Sequence, residues 1–349
     1  MIDFLITGIV LLFLCFILVF QSKYEPEGNS RFFDVNNSKA MRGFWCLVII
    51  LVHIPPAFQN RLSDMIGSFA YIGVTFFFMT SAYGLSLSQQ KQTATLKGFW
   101  LNRLPKLIIP CWIVNILLAL FNLALLGKKP DIFAFIGINR WVLWLLGCYL
   151  LFWIAHKFIK NPKVVPWVIC STVLAISLAI YFLAQQHIIT GTTWCPESIG
   201  FIWGVVLAVN YKKIKDFFVT KWLWKVIVSC LLAGILGLLY LKFKPIVFWG
   251  NYVLKVLLGL SILTFILILN SKMAIGNKIL SFLGDISFEI FLIHSSLMAL
   301  IATLLPTLRS GYFVMLSLAI SILLAWVSHI ISTFLIKKLY TWASIVKVK

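Results

Sequence analysis

The sequence predicts an all-α, polytopic transmembrane helical bundle of about 11 spans, and three observations carry that prediction. Of 349 residues, 61% are hydrophobic and only 11% charged, roughly half the charged share of an ordinary soluble domain. The apolar residues fall in runs long enough to cross a bilayer, which takes roughly 17 to 25 residues as a helix. The Lys and Arg residues concentrate in alternate connections between those runs, as they do in membrane proteins whose cytoplasmic loops collect positive charge.

The spans read as 3–20, 40–56, 67–88, 107–126, 141–159, 164–184, 198–210, 224–241, 249–269, 279–304 and 312–335. The second and seventh are short. The N-terminus reads Met1-Ile2-Asp3, without a basic leader, and no small-residue cleavage site follows Phe20. The first run is therefore expected to stay as a membrane helix rather than to be a signal peptide. No repeat and no soluble domain is evident. With the N-terminus outside, the inner segments hold 21 Lys and Arg and the outer loops 7. A three-to-one bias predicts an extracytoplasmic N-terminus, a cytoplasmic C-terminus and a multi-pass protein of the plasma or inner membrane.

The net charge of +20 follows from that loop bias, and no nucleic-acid partner is expected. The seven Cys residues (Cys15, Cys46, Cys111, Cys148, Cys170, Cys195 and Cys230) show no CxxC spacing. Most lie inside apolar runs, so no disulfide framework is predicted. Cys195 is placed in an outer loop.

Ionisable residues at membrane depth cost a few kcal/mol each, roughly 2.5 to 3.5 on insertion scales, and so mark candidate sites. In the second span, Arg42 stands at the cytoplasmic end and His53 lies eleven residues further, about 16 Å along a helix. Pro55 and Pro56 stop that helix, because the residue before a proline is pushed out of helical geometry. A helix from Ala40 to Ile54 is about 22 Å long. That is shorter than the roughly 30 Å hydrocarbon core. His53 is thus expected at a helix end within the membrane, beside protein or a water-filled cavity. An imidazole there suits proton transfer near neutral pH, and a capping or packing histidine is the plainer alternative.

In the third span, Thr80, Ser81, Tyr83 and Gly84 follow an aromatic run; close helix packing explains small residues there as well as chemistry does. The segment from Thr95 to Lys106 is read as the loop before span four. It puts Arg103 and Lys106 on one face, as phosphate ligands or as interfacial anchors. Span ten contains Asp285, Ser287, Glu289 and His294, with Ser287 and His294 sharing a face and Glu289 pointing elsewhere. His156 and His329 fall near span ends and His187 in an outer loop, with no metal-ligand spacing among them.

Taken together, these segments resemble the membrane acyltransferase-3 family of bacterial O-acyltransferases. Arg42 and His53, with ten residues between them, resemble its first-helix signature. Phe77-Phe78-Met79-Thr80-Ser81-Ala82-Tyr83 is similar to its Phe-Phe-x-x-Ser-Gly-Phe segment, and Arg103-Leu104-Pro105-Lys106 to its Arg-x-x-Arg. Phe282 to His294 is similar to its late Leu-Gly-x-Ile-Ser-Tyr-x-Ile-Tyr-Leu-x-His motif. The chain departs from the pattern at Lys39, Ala82 and Lys106; Lys106 offers phosphate a point charge instead of a fork.

The resemblance implies an acyltransferase-like domain over 39–336, with 1–38 an added span and loop and 337–349 a cytoplasmic tail. It also implies an acetyl-CoA-dependent O-acetyltransferase. An acyl group, usually acetyl, would pass from cytoplasmic acyl-CoA to a hydroxyl of an extracytoplasmic glycan or lipid-linked sugar. Acetyl-CoA would be a substrate, no cofactor would be bound, and membrane lipids and a polysaccharide-synthesis machinery would be the surroundings. His53 and Arg42 would be catalytic, and Arg103 and Lys106 would hold the donor. Ser81, Tyr83, Glu289 and His294 would line a tunnel or acceptor path. Glu197, with Trp194, would meet the sugar in the outer loop. The rival readings are a transporter of polysaccharide or lipid-linked sugar and an inactive accessory subunit of a polysaccharide-synthesis complex. Neither rival needs a thioester donor.

Overall fold

The computed structural model describes the backbone of residues 2–91, 96, 98–191 and 193–348; Thr95 and Lys97 of the segment before span four lie outside them. The described chain is 79% helical with almost no sheet. Its elements run α1 (Ile2–Val19), β1 (Lys23–Tyr24), α2 (Val35–Val52), α3 (Arg61–Gly67), α4 (Tyr71–Lys91), α5 (Phe99–Leu126), α6 (Phe133–Ile136), α7 (Arg140–Phe158) and α8 (Val165–Gln185). There follow α9 (Cys195–Val209), α10 (Tyr211–Val219), α11 (Trp222–Phe243), a π-helical turn (Trp249–Leu254), α12 (Lys255–Asn270), β2 (Met273–Ala274), α13 (Lys278–Asp285), α14 (Ser287–Leu304) and α15 (Ser310–Val348).

Among the described residues, eight helical stretches are long and apolar enough to cross a membrane. They answer to eight of the eleven expected spans. The remaining three are α1, α2 and α9. Two of these, α1 and α9, are apolar but short over their described residues, and α2 opens on the polar run Asn36, Asn37, Ser38, Lys39 and Arg42. Lipid-type exposure fits this reading: α8 and α11 turn large apolar side chains outward, among them Trp167, Phe182, Leu231 and Leu238, and a helix keeps its backbone polar groups paired within the segment.

Three of the boundaries that differ from expectation bear directly on Arg42, His53, Arg103 and Lys106 or on the chain's end. The second span begins a turn and a half earlier, because the Asp34 side chain accepts from the Asn37 amide and caps the helix there. Its 18 residues span about 27 Å, and it stops with His53 as the C-cap, two residues before Pro55. The segment of Arg103 and Lys106 is not a loop: α5 starts at Phe99, after Gly98 in the left-handed region (φ 78°). Pro105 sits inside that helix and lacks the N–H that would bond the Leu101 carbonyl; the Tyr340 hydroxyl donates to that carbonyl instead, at 3.3 Å. The last helix continues past 335 to Val348, so the expected tail begins as helix.

Two pairs of helices meet at backbone distance. On α9, a side chain at Gly200 or Gly204 would collide with the Thr75 or Met79 carbonyl of α4. This small-xxx-small spacing lets α9 sit inside the bundle. On α2 and α13, Gly43 faces the Leu280 carbonyl and Gly284 faces the Lys39 carbonyl with no room for a Cβ. A valine at Gly284 must push α13 off α2, and overpacking of this kind costs about 1–3 kcal/mol. We expect Gly284→Val to lower the thermal unfolding midpoint in detergent, whereas Gly234→Ala, where nothing stands within 4 Å, leaves it unchanged or slightly raised.

The N-terminal end of α2 is fixed by a buried amide network. Asn37 Nδ2 donates to Asn270 Oδ1 (2.8 Å) and to the Ile275 carbonyl (2.7 Å), Asn270 Nδ2 donates back to Asn37 Oδ1 (2.7 Å), and Asn29 Nδ2 donates to the Asn270 carbonyl (2.7 Å). β1 and β2 pair antiparallel beside it. Every donor in this cluster has a partner, and such a network holds one arrangement. It sets the register of α2, and hence the position of Arg42.

Candidate functional site

α2 carries Arg42, Cys46, Ile49 and His53 at spacings of four, three and four, which place them on one face of the helix. The two ends of this face meet different surroundings. At the Arg42 end, α2, α4, α5 and α7 enclose a cavity of about 410 Å³ lined by Arg42, Ser81, Tyr83, Arg103, Lys106 and Tyr149. A smaller cavity of about 150 Å³ adjoins it, sharing Arg103 and Lys106 and adding Asn102, Gln89 and Phe99. Five expected site residues from three separate segments thus line one space.

The charge in this space is one-sided. Among the described residues, the side-chain ion pairs are Lys39–Asp285, Lys255–Glu197 and His329–Glu289. None involves Arg42, Arg103 or Lys106. Arg103 Nε is buried without a hydrogen-bond partner, and its guanidinium lies 5.9 Å from the Phe99 ring centroid. Unpaired cations gathered in a partly dry cavity are costly unless an anion completes them. Phosphate oxygens match both the fork of an arginine and the point charge of a lysine.

At the other end of the face, His53 meets His294. His294 Nε2 lies 3.0 Å from His53 Nδ1, with the rings edge-to-face at 4.5 Å between centroids. His53 Nδ1 is also 3.1 Å from the Ile49 carbonyl, and His294 Nδ1 is 2.9 Å from the Ile290 carbonyl. Carbonyls only accept, so each Nδ1 carries its proton. His294 Nε2 is then a bare acceptor for the His53 Nδ1–H, and His53 Nε2 keeps a free lone pair. This tautomer is assigned from the partners; the reverse would set acceptor against acceptor at both carbonyl contacts. His294 is buried and His53 exposed, so the outer imidazole is the reachable base and the inner one orients it. The logic is that of the third member of a hydrolase triad.

If His294 orients His53 in this way, His294→Phe removes one hydrogen bond and frees the tautomer. The loss of about 1–3 kcal/mol predicts turnover roughly 5- to 150-fold lower with donor affinity unchanged, read as kcat falling while the donor dissociation constant stays fixed.

The remaining expected residues fall elsewhere. Glu289 is buried on α14 and binds His329 Nδ1 at 2.9 Å, away from the His53–His294 contact, as its spacing from His294 implied. His329 is therefore no interfacial residue near a span end: α15 is long enough to put it mid-helix, facing Glu289. Glu197 does not lie in an outer loop. It occupies the first turn of α9, 4% exposed, and its Oε1 is 2.5 Å from Lys255 Nζ on α12. Burial of a carboxylate requires such a partner, and the pair ties two helices together. Cys195 likewise opens α9, buried, with its carbonyl accepting from Ser177. Trp194, just before it, rests edge-on against Trp144 at 6.4 Å.

Sequence reasoning missed Tyr149 and the two salt-bridge partners, His329 and Lys255. Tyr149 is one aromatic in an apolar run full of them, with no spacing that marks it. It is nevertheless buried and lines the same cavity as Ser81, Arg42 and Arg103.

A family model described as an acyltransferase domain matches residues 35–336. The chain belongs to the acyltransferase-3 family. The match begins at the first residue of α2 and leaves α1 outside, and it embraces both the charged cavity and the histidine pair. No curated protein and no solved structure matches the chain. The protein is a membrane acyltransferase, and the arrangement just described belongs to a family whose reaction is acyl transfer.

Proposed function

We propose that this acyltransferase moves an acyl group, acetyl above all, from cytoplasmic acyl-CoA to a hydroxyl of an extracytoplasmic glycan or lipid-linked sugar in the cell membrane. The observation that carries the reading is the geometry of α2. One helix face bears an unpaired cation in a phosphate-suited cavity at one end and a histidine with a free Nε2 at the other, about 16 Å apart. The pantetheine arm of an acyl-CoA is of comparable length. With its phosphates held by Arg42, Arg103 and Lys106, the thioester reaches the level of His53. The Lys and Arg bias puts the cavity end in the cytoplasm, where acyl-CoA is made, and the His53 end towards the acceptor.

The chemistry is a single displacement. His53 Nε2 takes the proton of the acceptor hydroxyl as its oxygen attacks the thioester carbonyl carbon. The C–O bond forms, the C–S bond breaks, and the imidazolium returns its proton to the departing sulfur, which leaves as the CoA thiol. His53 Nδ1–H stays bonded to His294 throughout, and that bond shortens in effect when the ring is charged. Ser81, Tyr83 and Tyr149 supply hydroxyls around the donor.

A thermal-shift titration tests the donor step. Purified protein in detergent should gain stability with acetyl-CoA and with CoA, following the mass-action rise for ligand bound to the folded state. Desphospho-pantetheine thioesters should give far less. A folded protein that ignores acyl-CoA at millimolar concentration would favour the transporter or the inactive subunit.

A further inference from the structure

We propose that α10, with the corner that leads into α11, is a binding surface for the head groups of anionic phospholipids. The helix links two apolar helices, α9 and α11, so it lies at a membrane surface, and it is on the same end of the bundle as Arg42. Its inner face is anchored: the Tyr211 hydroxyl donates to the Phe32 carbonyl at 2.6 Å, and Phe218 is buried edge-to-face against Phe32 at 6.3 Å. The anchoring makes it a fixed platform. Its outer side carries Lys212, Lys213 and Lys215, and Lys221 follows at the corner. Among the described residues no carboxylate stands within ion-pair distance of any of them, and Asp216 is the only acid in the helix. A fifth lysine, Lys225, is consumed internally, bonding the Phe217 and Thr220 carbonyls at the end of α10.

Depth comes from the apolar residues beside this charge. Phe217, Leu223 and Trp224 are 61–65% exposed, and exposed aromatic and aliphatic side chains of that size sit in the acyl-chain boundary. Immersing them brings the ammonium groups to the phosphate level of the bilayer, with the lysine stems lying along the apolar zone. Four unpaired lysines above three immersed apolar anchors complement an anionic lipid layer, where each lysine contributes about 1 kcal/mol. A zwitterionic head group offers no net charge to offset them.

The test uses the full chain, delipidated and presented with equal amounts of phosphatidylglycerol and phosphatidylcholine, with the lipids retained counted by native mass spectrometry. Wild type should enrich phosphatidylglycerol, and the enrichment should fall as salt rises. The variant Lys212→Gln/Lys213→Gln/Lys215→Gln should lose the preference by about 10- to 100-fold with an unchanged unfolding midpoint. Lys157→Gln/Lys160→Gln/Lys163→Gln, which removes the same charge from another connection, should keep it. Equal retention of both lipids by wild type would overturn the proposal. So would undiminished preference in the first variant, or an equal loss in the second. Should the first variant fail to fold, a salt-insensitive preference in wild type would overturn it alone.

Discussion

Replacing His53 with alanine should lower acyl transfer by a factor of about 10²–10⁴, the usual contribution of a positioned general base, while leaving acyl-CoA binding intact. The expectation rests on the hydrogen-bond pattern rather than on the presence of a histidine. His53 Nδ1 is committed to His294 and the Ile49 carbonyl, so Nε2 is the basic nitrogen, and nothing else on the α2 face at that level ionises. Glutamine at 53 keeps a donor near His294 but supplies no base, so it should be nearly as inactive as alanine. Steady-state rates with radiolabelled acetyl-CoA, alongside the donor dissociation constant, separate this outcome from a folding defect. A His53→Ala enzyme with wild-type turnover would remove the base assignment.

The opposite signature is expected at the other end of the helix face. Arg103→Ala and Arg42→Ala should each weaken acyl-CoA binding about 10- to 100-fold, as expected for losing one charge-assisted hydrogen bond of about 1.5–3 kcal/mol. Arg103 should show the larger effect, since its guanidinium lines both adjoining cavities and its Nε has no protein partner. The two losses should not add, because both side chains meet one polyanion. Lys106→Ala should cost less than either arginine, being more exposed and a point charge, and Lys106→Arg should tighten binding by restoring a fork. Rising salt should weaken the donor affinity of wild type more than that of Arg103→Ala. Isothermal titration of CoA against each variant reads all of these.

The parts of this arrangement that were legible in the sequence are those written in local spacing. Arg42 and His53 belong to one helix, so their separation and shared face follow from helical geometry alone. Pro55 and Pro56 announced the helix end that makes His53 a cap. The Gly200–Gly204 spacing explains why the short seventh run, α9, packs inside the bundle. What stayed hidden depends on pairings across long stretches of chain. The contact between His53 and His294 joins residues 241 apart, and Glu197 finds Lys255 only once α9 and α12 are packed. Glu197 falls just outside the apolar run 198–210; in the folded chain Pro196 starts the helix earlier, where its missing N–H costs nothing. Arg103 and Lys106 likewise fall just outside the apolar run 107–126. In the folded chain α5 runs through Pro105, and a hydroxyl on the last helix, Tyr340, satisfies the carbonyl that the proline leaves free. His329 was misjudged through length, since α15 runs well beyond the apolar stretch that marked it.

The most direct measurement combines both ends of α2 in one preparation. Wild type, His53→Ala and Arg103→Ala are purified, reconstituted in liposomes and given radiolabelled acetyl-CoA, with donor binding and donor consumption recorded separately. The arrangement described here predicts that wild type binds and consumes the donor, that His53→Ala binds but does not consume it, and that Arg103→Ala does neither at donor concentrations that saturate wild type. Donor consumption by His53→Ala at the wild-type rate, or folded wild type that fails to bind acyl-CoA, would contradict it.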